Sequence, residues 1–132
     1  MREALLRALE LPNPYARGGC ARALIRFDAG RDRTLVQALL RVVDDNRRVV
    51  MYSDTEGEFL AGPHDRPSRP VSGVATQWPA VDASVRLDVA RALLEWDSSL
   101  RGRVMAAVEG LESEFGYDPD IHRMVRSFLS GL

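Results

Sequence analysis

Five residues in one stretch of this 132-residue chain carry side chains suited to recognition or proton transfer: His64, Asp65, Arg66, Arg69 and Trp78. An imidazole titrates near neutral pH and, beside a carboxylate, can serve as an acid/base pair. Two guanidinium groups can fork onto a carboxylate or phosphate, and an indole can anchor a protein contact. The segment that holds them, Pro63-His64-Asp65-Arg66-Pro67-Ser68-Arg69-Pro70 and then 71–79, contains four of the seven prolines. A stretch of this length without clear secondary structure is uncommon inside a compact domain unless it is functional or disordered. A plainer reading stands beside it, in which Trp78 fills a gap between helices and the charges are solvated.

Composition removes many alternatives. Lys plus Arg total 18 and every one is arginine. Without lysine there is no Schiff-base or pyridoxal phosphate chemistry and no Gly-Lys phosphate loop. One cysteine and two histidines cannot close a Cys/His zinc site. The acidic groups Glu109, Glu112 and Glu114, and the set Asp118, Asp120 and His122, read as a solvated helix face and a helix cap, so no metal and no cofactor is expected. Cys20 falls on an apolar stripe and reads as core. A single cysteine also forms no intrachain disulfide. The longest apolar run, Val104 to Val108, is far short of the roughly 20 residues of a membrane span, and Arg7 and Glu10 interrupt Leu5, Leu6 and Leu9. A cytoplasmic protein with no membrane contact is the expectation.

The elements that must position the site are helical. Met1, Leu5, Leu6 and Leu9 begin a helix that stops at Leu11-Pro12. Asn13 as N-cap and Pro14 at the first helical position open a second, with Ala16, Cys20, Leu24 and Phe27 as its stripe. A third runs from about Asp32 to Asn46. Asp82 opens a fourth, with Val85, Val89, Leu93 and Trp96 in line. A fifth carries Leu100, Val104, Val108, Leu111 and Phe115, and Asp118-Pro119 caps a sixth. Gly18-Gly19 sits within the second helix, where glycine is costly, and so marks a close helix approach. Between the halves, 48–52 and 58–61 read as a β-hairpin around a Gly-containing turn. The expected fold class is predominantly all-α, a single domain over 1–132 with a capping helix at 1–11, helical hairpins at 13–46 and 82–116, an insertion at 47–80 and a second capping helix at 118–132.

The two hairpins align at an offset of 69 residues, taking Asn13 to Asp82, Arg17 to Arg86, Arg22 to Arg91, and Leu35, Leu39 and Val42 to Val104, Val108 and Leu111, so that several arginines read as one duplicated helical surface. Residues 20–28 and 89–97 share five identities in nine positions. The segment from Asp82 to Leu93, with its acidic cap, Val-Arg pair and small residues before Ala-Leu, resembles the HEAT-repeat family, in particular its short bacterial members. Residues 13–24 are a weaker copy. The resemblance covers about half the chain and implies stacked helix pairs, a fragment of α-solenoid, with no catalytic residue to carry over. Repeats of this family follow one another after about 40 residues, so some 30 extra residues separate the pairs.

The function these features indicate is a non-catalytic protein-binding or scaffolding module that presents a helical face and the 47–80 insertion to a protein partner. An immunity or regulatory protein that neutralises a bacterial effector is a variant of it. Residues 1–48 carry a charge of +4 and residues 49–132 a charge of −5, which leaves nucleic-acid binding as a weaker alternative. A small enzyme using His64 and Asp65 is weaker still. A short repeat stack with apolar end helices, Leu5, Leu6 and Leu9 at one end and Phe128 and Leu129 at the other, is also a candidate homodimer.

Overall fold

A computed structural model describes residues 2–11, 13–27, 32–54, 57–61, 75–115 and 118–131. Helices dominate. In chain order the elements are α1 (Arg2–Ala8), α2 (Pro14–Phe27), α3 (Arg33–Val43), β1 (Arg48–Asp54), β2 (Gly57–Ala61), β3 (Ala75–Pro79), α4 (Ala83–Trp96), α5 (Arg101–Glu114) and α6 (Pro119–Ser130), with a 3₁₀ turn at Ser98–Leu100 before α5.

Helix starts are fixed by side-chain caps that satisfy otherwise orphaned N–H groups. Asn13 Oδ1 accepts from the Tyr15 and Ala16 N–H groups at 2.9 and 3.3 Å. Asp32 accepts from Leu35 at 2.9 Å, Asp82 from Ser84 at 2.8 Å, and Asp118 from Asp120 at 2.9 Å.

Helix α4 lies at the centre, in contact with α2, α3, α5 and α6, while α1 lies against α2 and α3 also touches α5. Its faces explain this. Val85, Arg86, Leu87, Val89, Ala90 and Leu93 are all buried, and the solvent side is reduced to the stripe of Ser84, Asp88, Arg91 and Glu95. The core runs through equivalent positions of the two halves: Leu35, Leu39 and Val42 of α3, and Val104, Val108 and Leu111 of α5. Each fully buried leucine contributes about 2 kcal/mol of transfer free energy. In α2 the buried face is Arg17, Gly18, Ala21 and Leu24, one position round from the expected stripe, and Ala16 and Cys20 lie half-buried on its flank. The rotation brings Gly18 onto α4, where an added Cβ would lie 3.1 Å from Val85 Cγ2. Gly19 points to open space.

The segment between the halves forms an antiparallel sheet of order β2-β1-β3. β1 pairs with β2 (Val50 with Ala61, Tyr52 with Phe59) and, on its other edge, with β3 (Val49 with Trp78, Met51 with Thr76). The third strand corrects the expectation that 75–79 lacks regular structure. A terminal proline and weak alternation hide it in the sequence, and pairing with β1 supplies the hydrogen bonds that local propensity does not.

Candidate functional site

The chemistry-bearing residues of the insertion divide into two groups. His64, Asp65, Arg66 and Arg69 lie outside the described residues. Trp78 is on β3, half-buried, with its ring edge-on to Tyr15 of α2 at a centroid distance of 5.8 Å and an interplanar angle of 72°. Tyr15 itself is 65% exposed. This pair joins the sheet to the helices and keeps an amphipathic aromatic surface in solvent.

Polar chemistry inside the protein is concentrated where the sheet meets the helices. Arg17 and Arg86 are the two buried charged residues among those described, 5% and 3% exposed. That corrects the expectation of a duplicated arginine surface at this pair, whereas Arg22 and Arg91 are exposed. Their surroundings repeat. Arg17 Nε donates to the Leu11 carbonyl and Nη1 lies 3.4 Å from Asp45 Oδ2. Arg86 Nε donates to the Val43 carbonyl at 2.9 Å and Nη1 to Glu114 Oε2 at 2.9 Å. Asp45 and Glu114 are separated by the same 69 positions as the arginines they face.

Both carboxylates also receive an arginine from the root of β1. Arg47 grips Asp45 through Nε at 2.9 Å, Nη2 at 2.8 Å and its own N–H at 3.1 Å. Arg48 Nη2 is 4.0 Å from Glu114 Oε1, and its guanidinium lies over the Phe115 ring, 4.8 Å from the centroid. Two consecutive residues thus tie the sheet to both halves of the helical body, and the Ala80 N–H closes its far end onto the Arg47 carbonyl at 2.8 Å. Burial pushes the Asp45 carboxyl up, but the bonds from Arg47 and the charges of Arg47 and Arg17 outweigh it and hold the group below the usual aspartate range. Arg17 is shifted down by desolvation first and by the charge of Arg47 second.

A cleft accompanies each buried arginine. The first, of about 430 Å³, is lined by Leu6, Leu9 and Glu10 from α1 and the following turn, by Thr34, Ala38, Arg41 and Val42 of α3, by Asp44, Asp45, Asn46 and Arg47, and by Arg17 and Val81. The second is lined by Arg86, Ala107, Gly110, Ser113 and Glu114, with Asp44 and Asn46 at its edge. Those five are the 69-residue counterparts of Arg17, Ala38, Arg41, Asp44 and Asp45.

On α5 and α6 the acidic side chains are less wet than their spacing suggests. Glu109 is exposed, but Glu112 is partly covered, accepts a hydrogen bond from Arg126 (Nη2 to Oε2, 3.0 Å) and has His122 Nδ1 3.1 Å from its Oε1, and Glu114 faces Arg86. Among the described residues no group of three His, Cys, Asp or Glu side chains could hold a metal ion, and no helix is long and apolar enough to cross a membrane.

Sequence reasoning aligned Arg17 with Arg86 yet missed their burial. The available signal was that each is followed, after 28 residues, by an acidic side chain at the end of the next helix. Comparison with family models, curated proteins and solved structures returns no match to this chain.

Proposed function

We propose that this protein is a non-catalytic scaffold, a short HEAT-like stack of helix pairs that holds a three-stranded sheet and its aromatic border out to a protein partner. One observation carries the reading. The buried polar groups of both halves, Arg17 with Asp45 and Arg86 with Glu114, converge on Arg47 and Arg48 at the root of β1. Charges used in this way fix the position of an element, and ion pairs of this kind fit a registry role. Chain spacing agrees with a repeat. The N-caps Asp82 and Asp118 are 36 residues apart, whereas Asn13 and Asp82 are 69 apart, and the excess of 33 is the length of 47–79. Without that segment the helix pairs would follow one another at a nearly constant step, as stacked repeats do.

Tyr15 and Trp78 give the sheet border the composition of a contact surface, since exposed aromatics supply large buried area at small entropic cost. The test is quantitative affinity capture from the source cells with the wild-type chain and with a variant whose residues 62–74 are replaced by a Gly/Ser linker of equal length, which leaves β3 in place. A protein recovered in stoichiometric amount by the wild type and lost with the variant supports the reading. Equal recovery by both removes residues 62–74 from recognition and leaves the sheet with its aromatic border, Tyr15 and Trp78, as the contact surface.

A further inference from the structure

The two clefts beside the buried arginines share a design but differ at three positions, and the differences point one way. In the second, Glu114 reaches the Arg86 guanidinium at 2.9 Å. In the first, the acid is Asp45, one methylene shorter. It stands 3.4 Å from Arg17 and is taken up by three N–H donors of Arg47. Of the five N–H donors of a guanidinium, two of Arg17 have an acceptor among the described residues, the Leu11 carbonyl and this distant carboxylate. A cation 5% exposed and so weakly paired is costly to desolvate. The first cleft also carries Arg41, exposed and without an ion-pair partner among the described residues, where the second has Gly110. The third difference is Asp44 in place of Ser113. Asp44 does not cancel the excess, because Arg103 of α5 binds it at 3.2 Å. Leu6, Leu9, Ala38, Val42 and Val81 supply the apolar part of its wall.

We propose that the cleft between α1, α3 and the root of the sheet binds a carboxylate carrying a short apolar body, with Arg17 and Arg41 taking the carboxylate and Leu6, Leu9 and Val42 the apolar part. Its volume of about 430 Å³ falls in the range of small-ligand sites. Glu10 is the group that opposes such a ligand. It lines the same cleft and acts electrostatically on both Arg17 and Arg47. The carboxylate can belong to a free organic acid or to the C-terminal residue of a polypeptide. The inference does not depend on the scaffold reading, because a free acid would fill the cleft of a protein with no partner.

The experiment is calorimetric titration of the full chain with hexanoate, with hexanamide, and with the N-acetylated peptide Gly-Gly-Leu bearing either a free or an amidated C-terminus. Binding of hexanoate and not hexanamide identifies a small-acid site, and binding of the free-carboxylate peptide and not its amide identifies a C-terminus site. Either one, weakened about tenfold or more by Arg41→Gln and tightened by Glu10→Gln, supports the proposal. Arg41 and Glu10 are exposed, so these variants keep the fold, whereas Arg17→Gln need not. No binding of either acid at millimolar concentration overturns the proposal, as does binding indifferent to amidation or to Arg41→Gln.

Discussion

Arg86 follows Arg17 by 69 residues and makes the same two contacts, one with a backbone carbonyl at the end of a preceding segment and one with a carboxylate 28 residues further along the chain. An arginine presents donors in a fixed fork, so a carbonyl and a carboxylate on different elements are held at a set separation. Each arginine therefore locks three pieces of chain together, and the carboxylates pass the constraint on to Arg47 and Arg48 of the sheet.

The second pair is the stronger, which gives a stability prediction. Glu114→Ala leaves Arg86 buried and without its carboxylate and should cost about 3 kcal/mol. The exposed pair Arg103 and Asp44 is the control, and Arg103→Ala should cost less than about 1 kcal/mol. Urea denaturation of the three proteins checks the ratio. Equal losses would mean that burial adds nothing to the Arg86 contact.

Much of this was legible in the sequence, and the illegible part has a common cause. The caps Asn13, Asp82 and Asp118 act within three residues, so local spacing identifies them. The alignment of Leu35, Leu39 and Val42 with Val104, Val108 and Leu111 is a matter of helical period. Arg17 and Arg86 read as surface because burial of a charge depends on a partner from another helix, which no window around either residue contains. Strand β3 was missed for the same reason, since its pairing with β1 links Trp78 to Val49 across a long stretch of chain. Of the residues singled out for recognition, Trp78 is placed beside Tyr15, and His64, Asp65, Arg66 and Arg69 lie outside the described residues.

The two glycines of α2 should respond differently to the same change. Gly19→Ala meets open space and should stabilise by about 0.5–1 kcal/mol through reduced backbone entropy of the unfolded chain. Gly18→Ala gains the same entropy but sets a Cβ 3.1 Å from Val85 Cγ2, so its net effect should fall below that of Gly19→Ala. Thermal melts of both variants measure the gap. Identical shifts would mean that α2 and α4 are not in close contact at Gly18.

Acid sensitivity should trace to Asp45. Its carboxyl is depressed in the folded state, so its contribution to stability is complete above the ordinary aspartate value of about 3.9 and is lost as pH falls through the lower folded value. Asp32 and Asp97 are depressed as well, by Arg2 and by Ser99 respectively, but both are solvent-exposed. Asp45→Asn should therefore flatten the fall in stability below about pH 4, followed by urea midpoint at each pH. An unchanged slope would place the acid-labile contact elsewhere.

The scaffold reading makes its most direct claim at the border of the sheet. Amine-reactive cross-linkers are of little use on a chain without lysine, so the measurement is site-specific photocross-linking in the source cells. The photoreactive residue benzoylphenylalanine replaces Tyr15, beside Trp78, or in a separate variant the exposed Arg101 at the start of α5. The account predicts one defined protein adduct from position 15 and none from position 101. No adduct at position 15, or the same adducts from both positions, would contradict it.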